Sequence, residues 1–272
     1  MSLSNRQPVI IALIVASAYF MENLDATVIA TTALICGFVA AVLAIRHFGR
    51  AEHPLIDLSP WRIPTFRVTL DGGSLYVVSV SVSPFLLPLL FQLGFGLNAF
   101  AAGLLVLAYA AGNLGMKTVT TPILKRFGFR KVMIVNGVLT AATIALCGLL
   151  SPETPRALIM LVLLAGGLCR SMQFTSINTL AFADVPPPRM SSASTFFSMV
   201  QQMTIGLGIA FGAIALHVAV LVHGNHAQLS LADFRIAFLL VSALVLFSVL
   251  YFIGIEPDAG REVSGHTRTA PR

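Results

Sequence analysis

The chain has 272 residues, of which 57% are hydrophobic and only 10% charged, with a mean hydropathy of +0.88. So little polar surface cannot cover a water-soluble globule, and the composition assigns an integral membrane protein, which the lengths of its apolar stretches make all-α. The net charge of +6 would suit nucleic acid as a partner, but its distribution along the chain excludes that.

The first predicted element runs from Val9 to Ile45, an apolar stretch of 37 residues interrupted by Glu22, Asn23 and Asp25. As helix it is roughly 55 Å long, too much for one upright crossing and tight for two. Val9 to Met21 spans only about 20 Å and cannot cross, whereas Ala26 to Ile45 spans about 30 Å and can. One long N-terminal membrane helix over residues 1–45, crossing once with its N-terminus outside, is the expectation. The rival has Val9 to about Ala30 crossing, which leaves about a dozen residues for the return. Apolar character that continues to Ile45 without a small-residue cleavage site also speaks against a signal peptide.

A basic loop over residues 46–66 follows, and then six spans: Gly72 to Phe91, Phe100 to Leu124, Val132 to Leu150, Ala157 to Ala183, Phe196 to Val222, and Ile236 to Ile255. Each is long enough to cross about 30 Å of hydrocarbon. They make a six-helix bundle over 67–255 and leave a tail over 256–272, about seven transmembrane helices in all. Tyr76 to Ser83 alternates with period two, but a lone strand cannot satisfy its backbone in lipid, so helix is expected there. Pro84 and Pro88 should kink it. Gly128, Pro152, Pro155, the Pro186-Pro187-Pro188 run and Gly224 punctuate the turns between spans.

Arg46, Arg50, Arg62 and Arg67 share one loop, Lys125, Arg126, Arg130 and Lys131 another, Arg189 a third, and Arg261, Arg268 and Arg272 the tail. The intervening loops carry only Arg156 and Arg235. This alternation is the positive-inside pattern, and it places the basic loops and the C-terminus in the cytoplasm of a multi-pass cell (inner) membrane protein. Cys36, Cys147 and Cys169 lie in apolar segments and read as small packing residues, with no disulfide or metal spacing.

Polar residues inside apolar spans are the candidates for function. Glu22 and Asp25, three apart, fall on one helical face, where two acids in low dielectric could share a proton. If a helix instead begins after them, they are solvated acids at its N-terminus. Arg170 stands mid-span beside Gln173 and Asn178, as either part of a polar pathway or an arginine satisfied by neighbouring carbonyls. Gln201 and Gln202 are adjacent and point about 100° apart, so at most one faces a given lumen, with helix–helix hydrogen bonding as the alternative for each. Asn113 completes the cavity candidates. Lys117, one turn on and about two turns from Lys125, reads as a snorkelling lysine. Gly208 and Gly212 form a Gly-x-x-x-Gly pair that marks close packing. No phosphate-binding loop, metal cluster or catalytic triad accompanies them, so neither an enzyme nor a cofactor is expected.

The stretch Phe20-Met21-Glu22-Asn23-Leu24-Asp25-Ala26-Thr27 resembles the first-helix signature of proton-coupled drug-efflux permeases of the major facilitator superfamily. From Ile35 onward the chain resembles the later part of their fourteen-helix drug:proton antiporter (EmrB/QacA-like) family. The phrases that carry this are His53-Pro54-Leu55-Ile56-Asp57-Leu58, Pro84-Phe85-Leu86-Leu87-Pro88-Leu89-Leu90-Phe91-Gln92-Leu93-Gly94-Phe95-Gly96, Lys125-Arg126-Phe127-Gly128-Phe129-Arg130-Lys131 and Gly167-Leu168-Cys169-Arg170-Ser171-Met172-Gln173-Phe174. The resemblance implies the six-helix C-terminal half of a major facilitator fold preceded by a first-helix remnant. It implies proton coupling at Asp25 and a gating-type loop at Arg126, Gly128, Arg130 and Lys131, with Lys125 where that motif carries aspartate.

The expected function is a partial proton-coupled multidrug efflux transporter, its substrate small and amphipathic or drug-like. It would require a homodimer or a partner half-transporter, since the family's substrate path lies between two bundles. The alternative is a non-transporting structural or regulatory membrane fragment produced by an internal deletion near Leu34 and Ile35.

Overall fold

A computed structural model describes residues 59–223 and 229–265, all within the second of the two units into which the chain divides, Asp57–Arg272. Glu22, Asp25, Cys36 and the expected N-terminal helix lie outside the described residues, as does most of the 46–66 loop.

Six spans among the described residues are long and apolar enough to cross a membrane. The first, Pro64–Gly94, comprises helix α1 (Pro64–Ser81), helix α2 (Ser83–Leu89) and a π turn over Leu90–Gly94. The others are α3 (Ala99–Phe127), α4 (Phe129–Leu149), α5 (Arg156–Ala181), α6 (Met190–His223) and α7 (Leu231–Ile253), and a short α8 (Arg261–Ser264) follows. No strand occurs among the described residues, and the alternating Tyr76 to Ser83 stretch is helical around a break at Val82.

The break falls two residues before Pro84, the first of the two prolines of this span. Pro84 and Pro88 supply no N–H for the Val80 and Pro84 carbonyls, the Val82 N–H meets the Ser79 carbonyl at 3.3 Å, and the span resumes as α2 before the π turn. Helix starts are capped where the sequence offers an acceptor. The Asn98 side chain accepts the Ala101 N–H at 2.8 Å, and Ser230 with Asp233 forms a reciprocal capping box at the head of α7. Gly128, at φ 75°, is the single residue between α3 and α4, a reversal open to glycine at little cost.

The spans pack in a consistent pattern: α3 against α5, α4 against α7, and α1 against α6 and α7. Small residues set the close approaches. A Cβ on Gly208 would fall 2.5 Å from the Val78 carbonyl oxygen, and one on Gly212 2.7 Å from Val82 Cγ1, so this pair serves close packing of α6 on α1 as its spacing suggested. Tyr76, fully buried, shares a 3.2 Å hydrogen bond with Thr140 across α1 and α4. The Ser242 hydroxyl donates to the Ala141 carbonyl at 2.8 Å across α7 and α4. Leu104, Leu107, Leu161, Leu239, Phe247 and Leu250 are exposed, an apolar surface suited to lipid.

Chain parity gathers the α3–α4 turn, the α5–α6 loop and the end of α7 at one end of the bundle. Arg130 Nη2 donates to the Ile253 carbonyl at 3.0 Å, and Gly260 lies against the Phe129 ring. At the same end Phe66 stacks on Phe196 at 6.0 Å and meets Phe182 and Phe197 edge-on at 6.4 and 6.1 Å, joining α1 to α6. The basic residues of the described loops, Arg62, Lys125, Arg126, Arg130, Lys131 and Arg189, thus share an end, while Arg156 and Arg235 begin α5 and α7 at the other.

Candidate functional site

The pairing of α3 with α5 creates the site. Both helices run in the same direction through the bundle, and they meet backbone to backbone at Gly112 and Gly167. A Cβ on Gly112 would collide with the Leu164 carbonyl, and one on Gly167 with the Tyr109 carbonyl. Beyond this crossing the helices present two stripes with a spacing of four, Tyr109, Asn113 and Lys117 on α3 and Arg170, Phe174 and Asn178 on α5.

The stripes converge on a recess of about 190 Å³ lined by Asn113, Lys117, Arg170, Ser171, Phe174 and Thr175. The guanidinium carbon of Arg170 lies 5.9 Å from the centre of the Tyr109 ring, a cation–π arrangement. Arg170 precedes the end of α5 at Ala181 by about 15 Å of helix, near the middle of a ~30 Å hydrocarbon layer, and Lys117 precedes the end of the apolar span at Leu124 by about 10 Å. Lys117, exposed, borders this polar recess. Two cationic heads, an amide and two hydroxyls can bind and orient a polar group.

The structure separates Gln173 from these residues. Its side chain is fully buried and faces α4, where Nε2 donates to the Met133 carbonyl at 3.2 Å and Oε1 accepts from Asn136 Nδ2 at 2.9 Å. Asn136 Nδ2 also donates to the Cys169 carbonyl at 2.8 Å. Gln173 thus belongs to an inter-helix network rather than to the recess, and every polar group named in that network has a partner. Asn178 and Gln201 form a second bridge, with Gln201 Nε2 donating to Asn178 Oδ1 at 3.4 Å while the Asn178 amide donates to the Phe174 carbonyl. Gln201 is half-buried and Gln202 exposed, the divergence that adjacent helical positions require.

Of the loop residues, Arg126 lies 5.5 Å from the centre of the Phe127 ring, Gly128 makes the reversal, and Arg130 holds the last turn of α7. Lys131 borders a groove of about 530 Å³ between α3 and α4, otherwise walled mainly by apolar residues such as Ile123, Phe127, Val135 and Leu139. Cys147 is buried and Cys169 half-buried, and both are free thiols.

Tyr109, Lys117, Asn136 and the Gly112–Gly167 crossing escaped the sequence reading as parts of a site. The spacing of four from Tyr109 through Asn113 to Lys117 was the available signal for the first two. An asparagine within an apolar span was the signal for the third.

The Major Facilitator Superfamily profile matches residues 72–271. The chain is 31% identical over 237 residues to the "Putative multidrug resistance protein MdtD" of Pectobacterium atrosepticum, an alignment covering 85% of this chain and 50% of that one. The protein of the same name from Pectobacterium carotovorum is 34% identical over 69% of this chain and 41% of its own. The "Probable transport protein HsrA" of Haemophilus influenzae is 34% identical over 68% of this chain and 40% of its own. The chain therefore spans about half the length of the curated relatives it matches.

Proposed function

Given that this chain belongs to the Major Facilitator Superfamily, we propose that it is one six-helix half of a proton-coupled efflux transporter for small amphipathic, drug-like molecules. The observation that carries this is the polar recess between α3 and α5, which holds the half-buried Arg170 and Asn113 at mid-span beside the exposed Lys117. A polar face at that depth is unfavourable against lipid and suits a water-filled path or an apposed protein surface. Gln202, exposed on α6, and Gln201 beside it extend polar character along the neighbouring span.

Alternating access requires an opposite wall, so activity requires a second bundle, supplied by another copy of this chain or by a partner half-transporter. Asp25, with Glu22 beside it, is the proton-coupling residue in this reading. The turn holding Arg126, Gly128, Arg130 and Lys131 is its cytoplasmic gating loop, and the C-terminus is cytoplasmic in the inner membrane by the distribution of basic residues.

The test is drug flux in proteoliposomes carrying an imposed proton gradient. Gradient-dependent flux that falls when Asp25→Asn replaces the wild type supports the reading. Absence of flux at every protein density overturns it in favour of a non-transporting membrane component, and undiminished flux in Asp25→Asn removes that residue from coupling.

A further inference from the structure

We propose that the α3–α5 recess binds the anionic group of its ligand, so that the transported class is amphipathic organic anions bearing a carboxylate, sulfonate or phosphate. This rests on the reading of the recess as the substrate site and adds the sign of the charge.

Charge balance carries the argument. Lys117 and Arg170 both line the recess, and no carboxylate among the described residues lines it. Three of the described acids are engaged elsewhere: Asp71 pairs with Arg67 at 3.7 Å, Asp258 with Arg261 at 3.3 Å, and Asp233 closes the Ser230 cap. Two like charges bordering one recess repel each other, and an anion that contacts both is a strong partner for the pair. A cationic ligand would add a third positive charge to the same recess.

The remaining walls fit such a group. Asn113, Ser171 and Thr175 add amide and hydroxyl donors for oxygens that the two cations leave free. Phe174 lines the recess and Tyr109 lies beneath Arg170, an apolar and aromatic surface for the hydrocarbon part. A volume of about 190 Å³ corresponds to roughly six water molecules, enough for the anionic head and the start of a ring, with the rest of the ligand extending beyond the recess.

The experiment uses the full chain in detergent and two isosteric probes, naphthalene-2-carboxylate and naphthalen-2-ylmethylammonium, with affinities measured by isothermal titration calorimetry at neutral pH. The carboxylate is expected to bind at least tenfold more tightly. Lys117→Gln and Arg170→Gln should each weaken carboxylate binding about tenfold, the loss of one charge-assisted contact, while Arg170→Lys keeps the preference. Equal or tighter binding of the amine overturns the proposal, as does failure of both probes to bind. So does carboxylate affinity unchanged in Lys117→Gln, which places the anion elsewhere. If Arg170→Gln does not fold, Lys117→Gln decides alone.

The transport reading fails separately. Carboxylate binding that depends on Lys117, without gradient-driven flux, leaves the anion site and removes the transporter. Flux of cationic drugs with no preference for the carboxylate leaves the transporter and removes the anion site.

Discussion

The close crossing of α3 and α5 at Gly167 makes a sharp prediction for stability. A Cβ placed there would lie 2.9 Å from the Asn113 nitrogen and nearer still to the Tyr109 carbonyl oxygen, and both are backbone atoms of a helix that cannot rotate away as a side chain would. Gly167→Ala must therefore part the helices by roughly 1 Å to restore van der Waals distance, at an overpacking cost of about 3 kcal/mol. Alanine recovers about 1 kcal/mol by its better helix propensity, which leaves a net loss of about 2 kcal/mol. For a folded unit of about 200 residues that lowers Tm by roughly 4–8 °C. Gly115→Ala is the internal control, since nothing lies within 4 Å of a Cβ at Gly115 on the same α3 helix. Thermal unfolding in detergent, followed by fluorescence-detected size exclusion, should show Gly167→Ala melting well below the wild type and Gly115→Ala at or slightly above it. Equal melting of the two variants would refute the backbone contact and with it the crossing that brings Arg170 to Lys117.

Two further outcomes follow from the network and the topology. Gln173→Leu leaves the Asn136 amide and the Met133 carbonyl each short of a partner and should cost about 1–3 kcal/mol, whereas Asn136→Leu/Gln173→Leu together should cost less than the sum of the single changes, with a coupling near 1 kcal/mol in a double-mutant cycle of thermal stabilities. Additive losses would mean that the pair does not act as a unit. Single cysteines at Ser4 and Ser264, in a background lacking Cys36, Cys147 and Cys169, should react with an impermeant maleimide from opposite sides of the membrane, and labelling of both from the cytoplasmic side would overturn the outside N-terminus.

The bundle itself was legible in the sequence because lipid constrains backbone so strongly. Six apolar stretches of membrane-spanning length have one available secondary structure, and the spans described coincide with them to within several residues at their ends, α6 beginning at Met190 where the hydropathy began at Phe196. The proline break in the first span was equally local, since Pro84 and Pro88 remove N–H groups whatever surrounds them. The distribution of basic residues was legible for the same reason, because alternate loops of a parity-bound bundle must share an end.

What tertiary structure alone decided was the direction each polar side chain faces. Gln173 and Arg170 are three apart, close enough on a helical surface to suggest one lumen, yet the packing of α4 against α5 buries Gln173 on Asn136 and leaves Arg170 toward α3. That Lys117 borders the same recess as Arg170 was invisible along the chain, because its neighbour lies on another helix. Gly112 and Gly167 are 55 positions apart, and no local pattern marks either as the point where two backbones touch. Periodicity records which residues share a face of one helix, but the identity of the facing helix is set by long-range packing, and on that depended whether these cations meet lipid, protein or a ligand.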